Sequence, residues 1–381
     1  MDLTLPPSGR ALASERSVLR HVDVALVLAF LALAGFGLLM VYSATHQTLR
    51  EFGQDPGFYL KKQALFLVVG VGAMVLAAAV DYRLLKVYAP FIYGLAVLLL
   101  VLVQTPLGST ALGAQRWFEV AGFQFSPSMF ARLGLIIAVS AYLSELKSDL
   151  GLREVLTVTG LAGLPMALVF VQPDIGTTII LAAIMVAALV VAGARARHLA
   201  VLALAALIAL FGAFQLHIVK DYQVQRLTSF LDPQADALAA GYNRQQAEIA
   251  IGAGGLTGRG YLKGTQTNLD YVPAQHTDFI FTVVGEELGF LGATALLALF
   301  AVVLWRALRV GLLAKDPQGT FLAVGVGAML ATQVFVNVGM TIGIMPITGI
   351  PLPFISYGGS ALIADCVGIG LLLNVHARRF R

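Results

Sequence analysis

The run VALVLAFLALAGFGLLMV, residues 24–41, decides the fold. It contains no charged residue, and it is longer than the apolar core of about 7–15 residues found in a cleavable signal peptide. The stretch before it is polar and irregular, with Pro6, Pro7 and Gly9. It therefore reads as a retained first membrane span. Comparable runs recur along the chain at roughly 63–80, 87–104, 127–145, 154–171, 174–192, 198–216, 277–305, 319–345 and 358–376. Each approaches the roughly 20 residues that cross bilayer hydrocarbon as a helix. None alternates as a barrel strand would, and a spanning backbone must satisfy its amides internally. The expected fold is all-α and polytopic, a single membrane domain over residues 1–381 with about ten transmembrane helices.

Composition agrees. Apolar residues make up 58% of the 381 positions and charged residues 12%, against about a quarter charged in soluble domains. The net charge of +4 comes from scattered Lys and Arg, which excludes a nucleic-acid surface as the main role. Cys366 is the only cysteine, so neither an intrachain disulfide nor a zinc site of the usual Cys/His spacing is available. With a cytoplasmic N-terminal tail over 1–22, most Lys and Arg fall on the inner side, and the outer ones concentrate in one long loop, which weighs little in the positive-inside rule. Both termini are expected in the cytoplasm. Two long outer loops follow, about 104–126 and 217–276, the second between spans seven and eight; loops of this length are usually functional or disordered.

Chemistry concentrates near these loops. Asp278 stands at the outer mouth of span eight, where desolvation makes a carboxylate a general-base candidate; from position alone, a helix-start role favoured by the dipole is the commoner one. His276 and Thr277 read as helix caps or substrate ligands. Glu286 and Glu287 lie deeper in the same span, and intramembrane acids are functional by default, although a structural partner serves equally. Arg132, inside span four, calls for a carboxylate or phosphate; Asp365 and Glu286 are candidate partners. The glycine run IGAGGLTGRG, residues 251–260, departs from the dinucleotide pattern; it suits tight turns or close approach of a substrate, and a flexible lid is the plainer alternative. QPD at 172–174 is explained by a tight turn. Pro346, Pro351 and Pro353 forbid a regular helix, and the amides around Ser356 and Tyr357 at the next helix start suit an anion or a structural turn.

Together GAQRWF (113–118), QPDIGT (172–177), HTDFIF (276–281), GEELG (285–289) and GIPLPFISYGGSAL (349–362) closely resemble the SEDS family of shape, elongation, division and sporulation proteins, which includes RodA and FtsW. The resemblance covers nearly the whole chain, and MTIGIMPITGIPLPF looks more like the RodA branch. It implies a peptidoglycan glycosyltransferase of the cytoplasmic (inner) membrane that polymerises lipid II on the outer face, during cell-wall elongation and shape maintenance, beside a class B penicillin-binding protein. The family's essential aspartate falls on Asp278. Arg116, Trp117, Arg132, Arg244, Arg259, Lys263, His276, Thr277, Ser356 and Tyr357 are the candidate substrate contacts. A divalent cation such as Mg2+ would help a diphosphate leave, although no ligand cluster is visible.

One departure stands out. Where the family reads P-S-E-F-A-K, this chain has Pro127, Ser128, Met129, Phe130, Ala131 and Arg132. The acid is lost, and Asp365 is the expected replacement counter-charge. Two alternative functions are a lipid II flippase, suggested by the buried charges, and a non-catalytic scaffold for the penicillin-binding protein.

Overall fold

A computed structural model of the chain describes residues 22–111, 114–120, 122–146, 150–215, 230 and 240–379. The expected tail before residue 22 and most of the 217–240 stretch of the long loop lie outside the described residues. The helices are α1 (Val24–Glu51), α2 (Phe58–Ala79), α3 (Tyr82–Leu102), α4 (Pro127–Leu143), α5 (Leu152–Val171), α6 (Ile175–Val191), α7 (Ala196–Gln215), α8 (Ala240–Gly254), α9 (Thr265–Asn268), α10 (Ile280–Leu312), α11 (Pro317–Thr341) and α12 (Gly359–Arg378). Among the described residues, seven are long and apolar enough to cross a membrane, and the shorter apolar α4, α6 and α7 fill the three remaining expected spans. α11 and α12 form the enclosed centre. α2 and α3 turn Val68, Leu76, Phe91 and Leu95 outward, as helices solvated by lipid tails do.

Polar contacts sort the helix ends onto two faces. Asp23 caps α1 through the Leu26 amide at 3.1 Å and accepts Arg306, near the end of α10, at 2.8 and 2.5 Å. Asp316 caps α11 and accepts the Tyr82 hydroxyl from the start of α3 at 2.6 Å. Arg378, at the end of α12, donates to the Ala78 and Ala79 carbonyls that close α2. The start of α1 and the end of α12 therefore share a face, as an even number of crossings requires.

The first long loop is more ordered than a connection. It folds into a three-stranded antiparallel sheet, β1 (Ser109–Ala111), β2 (Ala114–Val120) and β3 (Phe123–Phe125), in that order, pairing Ser109 with Trp117 and Phe118 with Phe125. The sheet is an addition to the all-α expectation. Its strands are too short to show periodicity, and the turn at Gly122 (φ 79°) is its only local signal.

Span eight is broken. Gly289 has φ 65° and ψ −163° inside α10, which removes main-chain partners on both sides of the break. Residues 255–260 replace them. Arg259 and Gly260 amides donate to the Glu286 and Glu287 carbonyls at 3.0 and 2.9 Å, and Phe290 and Leu291 amides donate to the Gly255 and Leu256 carbonyls at 2.9 and 3.1 Å. A Cβ on Gly254 or on Gly258 (φ 81°) would overlap the Gly285 or Glu287 carbonyl oxygen. The glycine run thus makes the tight turns expected of it, with positive φ at Gly255, Gly258 and Gly260, and the backbone it admits in this conformation is that of α10.

Candidate active site

Asp278 lies in the turn that precedes α10, not in the helix itself. Three successive amides, Thr277, Asp278 and Phe279, point at the Ala274 carbonyl, at 3.1, 3.1 and 3.4 Å. Phe279 is the N-cap and makes no side-chain cap bond. The capping role expected for Thr277 and His276 is therefore not the one they take. Thr277 bonds back to the Ala274 carbonyl at 3.1 Å. His276 enters an aromatic cage, 4.8 Å from Tyr59 and 5.8 Å from Tyr357 between ring centroids, with Tyr59 4.9 Å from Tyr357. Burial there holds the imidazole below its ordinary value of 6.5, so it is neutral near pH 7.

The Asp278 carboxylate is half-buried. It faces Gly349, where a Cβ would come within 3.2 Å of Oδ2. The proline-bearing segment from Ile344 to Gly358 is irregular, as expected, with Phe354 at φ 64°. Its amides are already engaged: Ser356 donates to Leu352 O at 3.0 Å, Tyr357 to His276 O at 2.9 Å and Gly358 to Gln63 Oε1 at 3.3 Å. The Ser356 hydroxyl accepts the Leu352 amide at 2.8 Å. Ser356 thus closes a turn, in keeping with the structural alternative. Tyr357 remains a wall of the aromatic cage.

The expected cations divide into two groups. Arg116, on β2, donates to the Gln172 carbonyl at 2.7 Å and to the Pro173 carbonyl, fastening the sheet to the turn between α5 and α6; Asp174 then caps α6 at the Thr177 amide, 3.0 Å away. Trp117 sits beside it, its carbonyl accepting the Ser109 hydroxyl at 3.0 Å. Arg244 pairs with Glu248 at 2.8 Å against Gly343. Arg116 and Arg244 serve the scaffold in this conformation. Arg259, with Nε on the Ala253 carbonyl at 3.2 Å, and Lys263 remain at the surface of the loop that covers α10.

Arg132 is enclosed, 0% exposed, and its Nη2 lies 4.0 Å from Asp365 Oδ1. Its Nε and Nη2 also reach the Met129 carbonyl at 3.2 Å and the Met129 sulfur at 2.9 Å. The expected Arg132–Asp365 pair is therefore present, whereas a direct substrate contact for Arg132 is not available in this conformation. Glu286 takes a different partner. It accepts the Gln266 and Thr267 amides at 2.8 and 2.9 Å and the Thr267 hydroxyl at 2.8 Å, capping α9 from outside the helix. Glu287 accepts Ser43 of α1 at 2.6 Å.

Tyr59, Gln333 and Asn337 escape sequence reasoning. Tyr59 carries no signal beyond its place at a span start. Gln333 and Asn337 are uncharged, but their four-residue spacing inside an apolar span is a usable mark of one polar helix face. Among the described residues, no three of His, Cys, Asp and Glu converge as a metal site.

The family model described as Cell cycle protein, covering FtsW, RodA and SpoVE, matches residues 24–380. The peptidoglycan glycosyltransferase MrdB of Escherichia coli K12 is 38% identical over 361 residues, 94% of each chain. Stage V sporulation protein E of Bacillus subtilis is 38% identical over 356 residues, 93% of this chain and 96% of its own. Among solved structures, one reported under structural coordination of polymerization and crosslinking by a peptidoglycan synthase complex superposes with a TM-score of 0.80 at 32% identity, covering 94% of this chain and 99% of that one. The rod shape determining protein RodA of Thermus thermophilus gives 0.70 at 29% identity, over 94% and 98%.

Proposed function

Because the chain belongs to the FtsW, RodA and SpoVE family of cell cycle proteins, we propose that it is a peptidoglycan glycosyltransferase that polymerises lipid II, with Asp278 as its general base. The observation that carries the site assignment is the setting of Asp278. It is a half-buried carboxylate on a tight turn beside the Gly349 backbone, and His276, two residues earlier, stands in a cage with Tyr59 and Tyr357. Sugar rings suit such a place, with aromatic faces for their apolar edges and a carboxylate for one hydroxyl.

In the reaction, the acceptor hydroxyl gives its proton to Asp278 as its oxygen bonds to the donor's anomeric carbon. The bond from that carbon to the diphosphate oxygen breaks, and the electron pair leaves with the polyprenyl diphosphate. The charge developing there requires cations. Arg259 and Lys263, both exposed on the loop, are the candidates we favour, since Arg132 is enclosed and Arg116 and Arg244 are more fully engaged.

We place the chain in the cytoplasmic membrane with this site outward, working in cell-wall elongation and shape beside a class B penicillin-binding protein. The relative solved in a complex that coordinates polymerization and crosslinking supports that partnership. The test is the full-length chain in liposomes with labelled lipid II. The expected products are glycan chains, lost in Asp278→Asn with the fold retained. Translocated lipid without polymer, or full polymerisation by the variant, overturns the proposal.

A further inference from the structure

Gln333, Asn337 and Thr341 repeat every fourth residue along α11 and are each 0% exposed. They form a buried polar file along the second half of the helix. At its inner end, Gln333 Nε2 donates to Asp365 Oδ1 at 3.1 Å, one contact from Arg132. One turn outward, Asn337 Nδ2 donates twice: to the Asp278 carbonyl at 2.8 Å and to the Ile350 carbonyl at 2.7 Å.

Both acceptors lie where the backbone is irregular. Asp278 precedes the N-cap of α10, and the Thr282 amide that would reach back to it in a continuing helix goes to Phe279 O instead, at 2.9 Å. Ile350 precedes Pro351, in a stretch where prolines prevent a helix ladder. One side chain thus ties the turn bearing the carboxylate to the segment whose Gly349 forms the wall beside that carboxylate. Because Gly349 and Ile350 are adjacent, the length of the Asn337 amide fixes how far Asp278 stands from its wall.

We infer that Asn337 is a positioning residue for Asp278. It sets the placement of the carboxylate by bridging the 278 turn and the 350 segment, and the Arg132–Asp365 pair fixes the register of α11 one turn below. The inference rests on the general-base reading of Asp278. Catalytic geometry is demanding: a misplacement of about 1 Å can cost on the order of 100-fold in rate.

The experiment compares Asn337→Leu, similar in size but without donors, with wild type in liposomes with lipid II, across pH. The expected result is a fall in kcat of about 100-fold with KM within about threefold, and an acidic limb of the kcat–pH profile displaced by at least about half a unit, since that limb reports the base. Val334→Ala, a packing change on the neighbouring face, is the control: it lowers stability and leaves the limb in place. A kcat within about threefold of wild type, or an unmoved acidic limb, overturns the inference. Should Asn337→Leu fail to fold, Asn337→Asp keeps the shape and replaces the donors, and carries the same test; misfolding of both assigns Asn337 to structure alone and also overturns it. Asp278→Asn, run in parallel, separates the two levels. Activity in that variant removes the general base itself, whereas its inactivity beside a normal Asn337→Leu removes only the positioning role.

Discussion

Replacing Asp365 with leucine tests the buried charge pair directly. In the native chain Asp365 is 1% exposed and Arg132 0%, separated by 4.0 Å, with Gln333 on the same carboxylate oxygen at 3.1 Å. Asp365→Leu leaves the guanidinium enclosed on the Met129 carbonyl and sulfur, with Asp174 as a more distant negative charge, and stranding one member of a buried pair costs about 3–5 kcal/mol. Removing both members, in Arg132→Met with Asp365→Leu, is expected to recover most of that loss, because apolar replacement of a whole buried pair is often neutral or stabilising. A third variant adds Met129→Glu to Asp365→Leu. The Met129 side chain already touches Arg132 one turn away on α4, so a carboxylate there restores the counter-charge. The chain supplies its own reporter: Cys366 is the sole cysteine, buried and adjacent to the pair, so a thiol-reactive fluorophore labels it only on unfolding. The single variant should lower the labelling midpoint by roughly 10 °C, with the other two returning toward wild type. A single variant within about 2 °C of wild type, or a double variant no better than the single, would refute the assignment of Asp365 as counter-charge.

Two further outcomes follow from the loop over α10 and from the cage. Gly258→Ala combines a left-handed φ of 81° with overlap at the Glu287 carbonyl, so it should cost about 1–2 kcal/mol in backbone strain alone and raise amide exchange at 286–291; unchanged exchange would show that the loop does not hold the break. His276 has a folded value below its unfolded 6.5, so the unfolded chain binds the proton more tightly. Its contribution to stability is full above about pH 6.5 and declines as pH falls through the depressed folded value; thermal midpoints from pH 7.5 down to 5 should show that decline, and it should flatten in His276→Phe.

The helices were legible because lipid imposes one rule on every span, and runs such as residues 24–41 state it in plain composition. Asp278 and its HTDFIF context were legible by resemblance, and the Arg132–Asp365 pair by the scarcity of intramembrane charge. Less visible features depend on contacts between distant segments. Nothing local in GEELG announces that Gly289 breaks a helix, because the break is stable only with residues 255–260 in place. Arg116 and Arg244 look like free cations until the Gln172–Pro173 turn and Glu248 supply their partners. Asn337 looks ordinary because only the folded chain brings the Asp278 and Ile350 carbonyls to one amide.

The break in α10 also constrains how the protein is made. In a helix inserting alone, the Phe290 and Leu291 amides would bond the Glu286 and Glu287 carbonyls in the ordinary i to i−4 ladder, because nothing at Gly289 forces the break. The groups that replace those bonds in the folded protein lie about thirty residues earlier in the chain. Span eight can therefore settle as an unbroken helix. Its break forms only as the preceding loop exchanges main-chain bonds with it, which makes completion of the site a step that follows insertion.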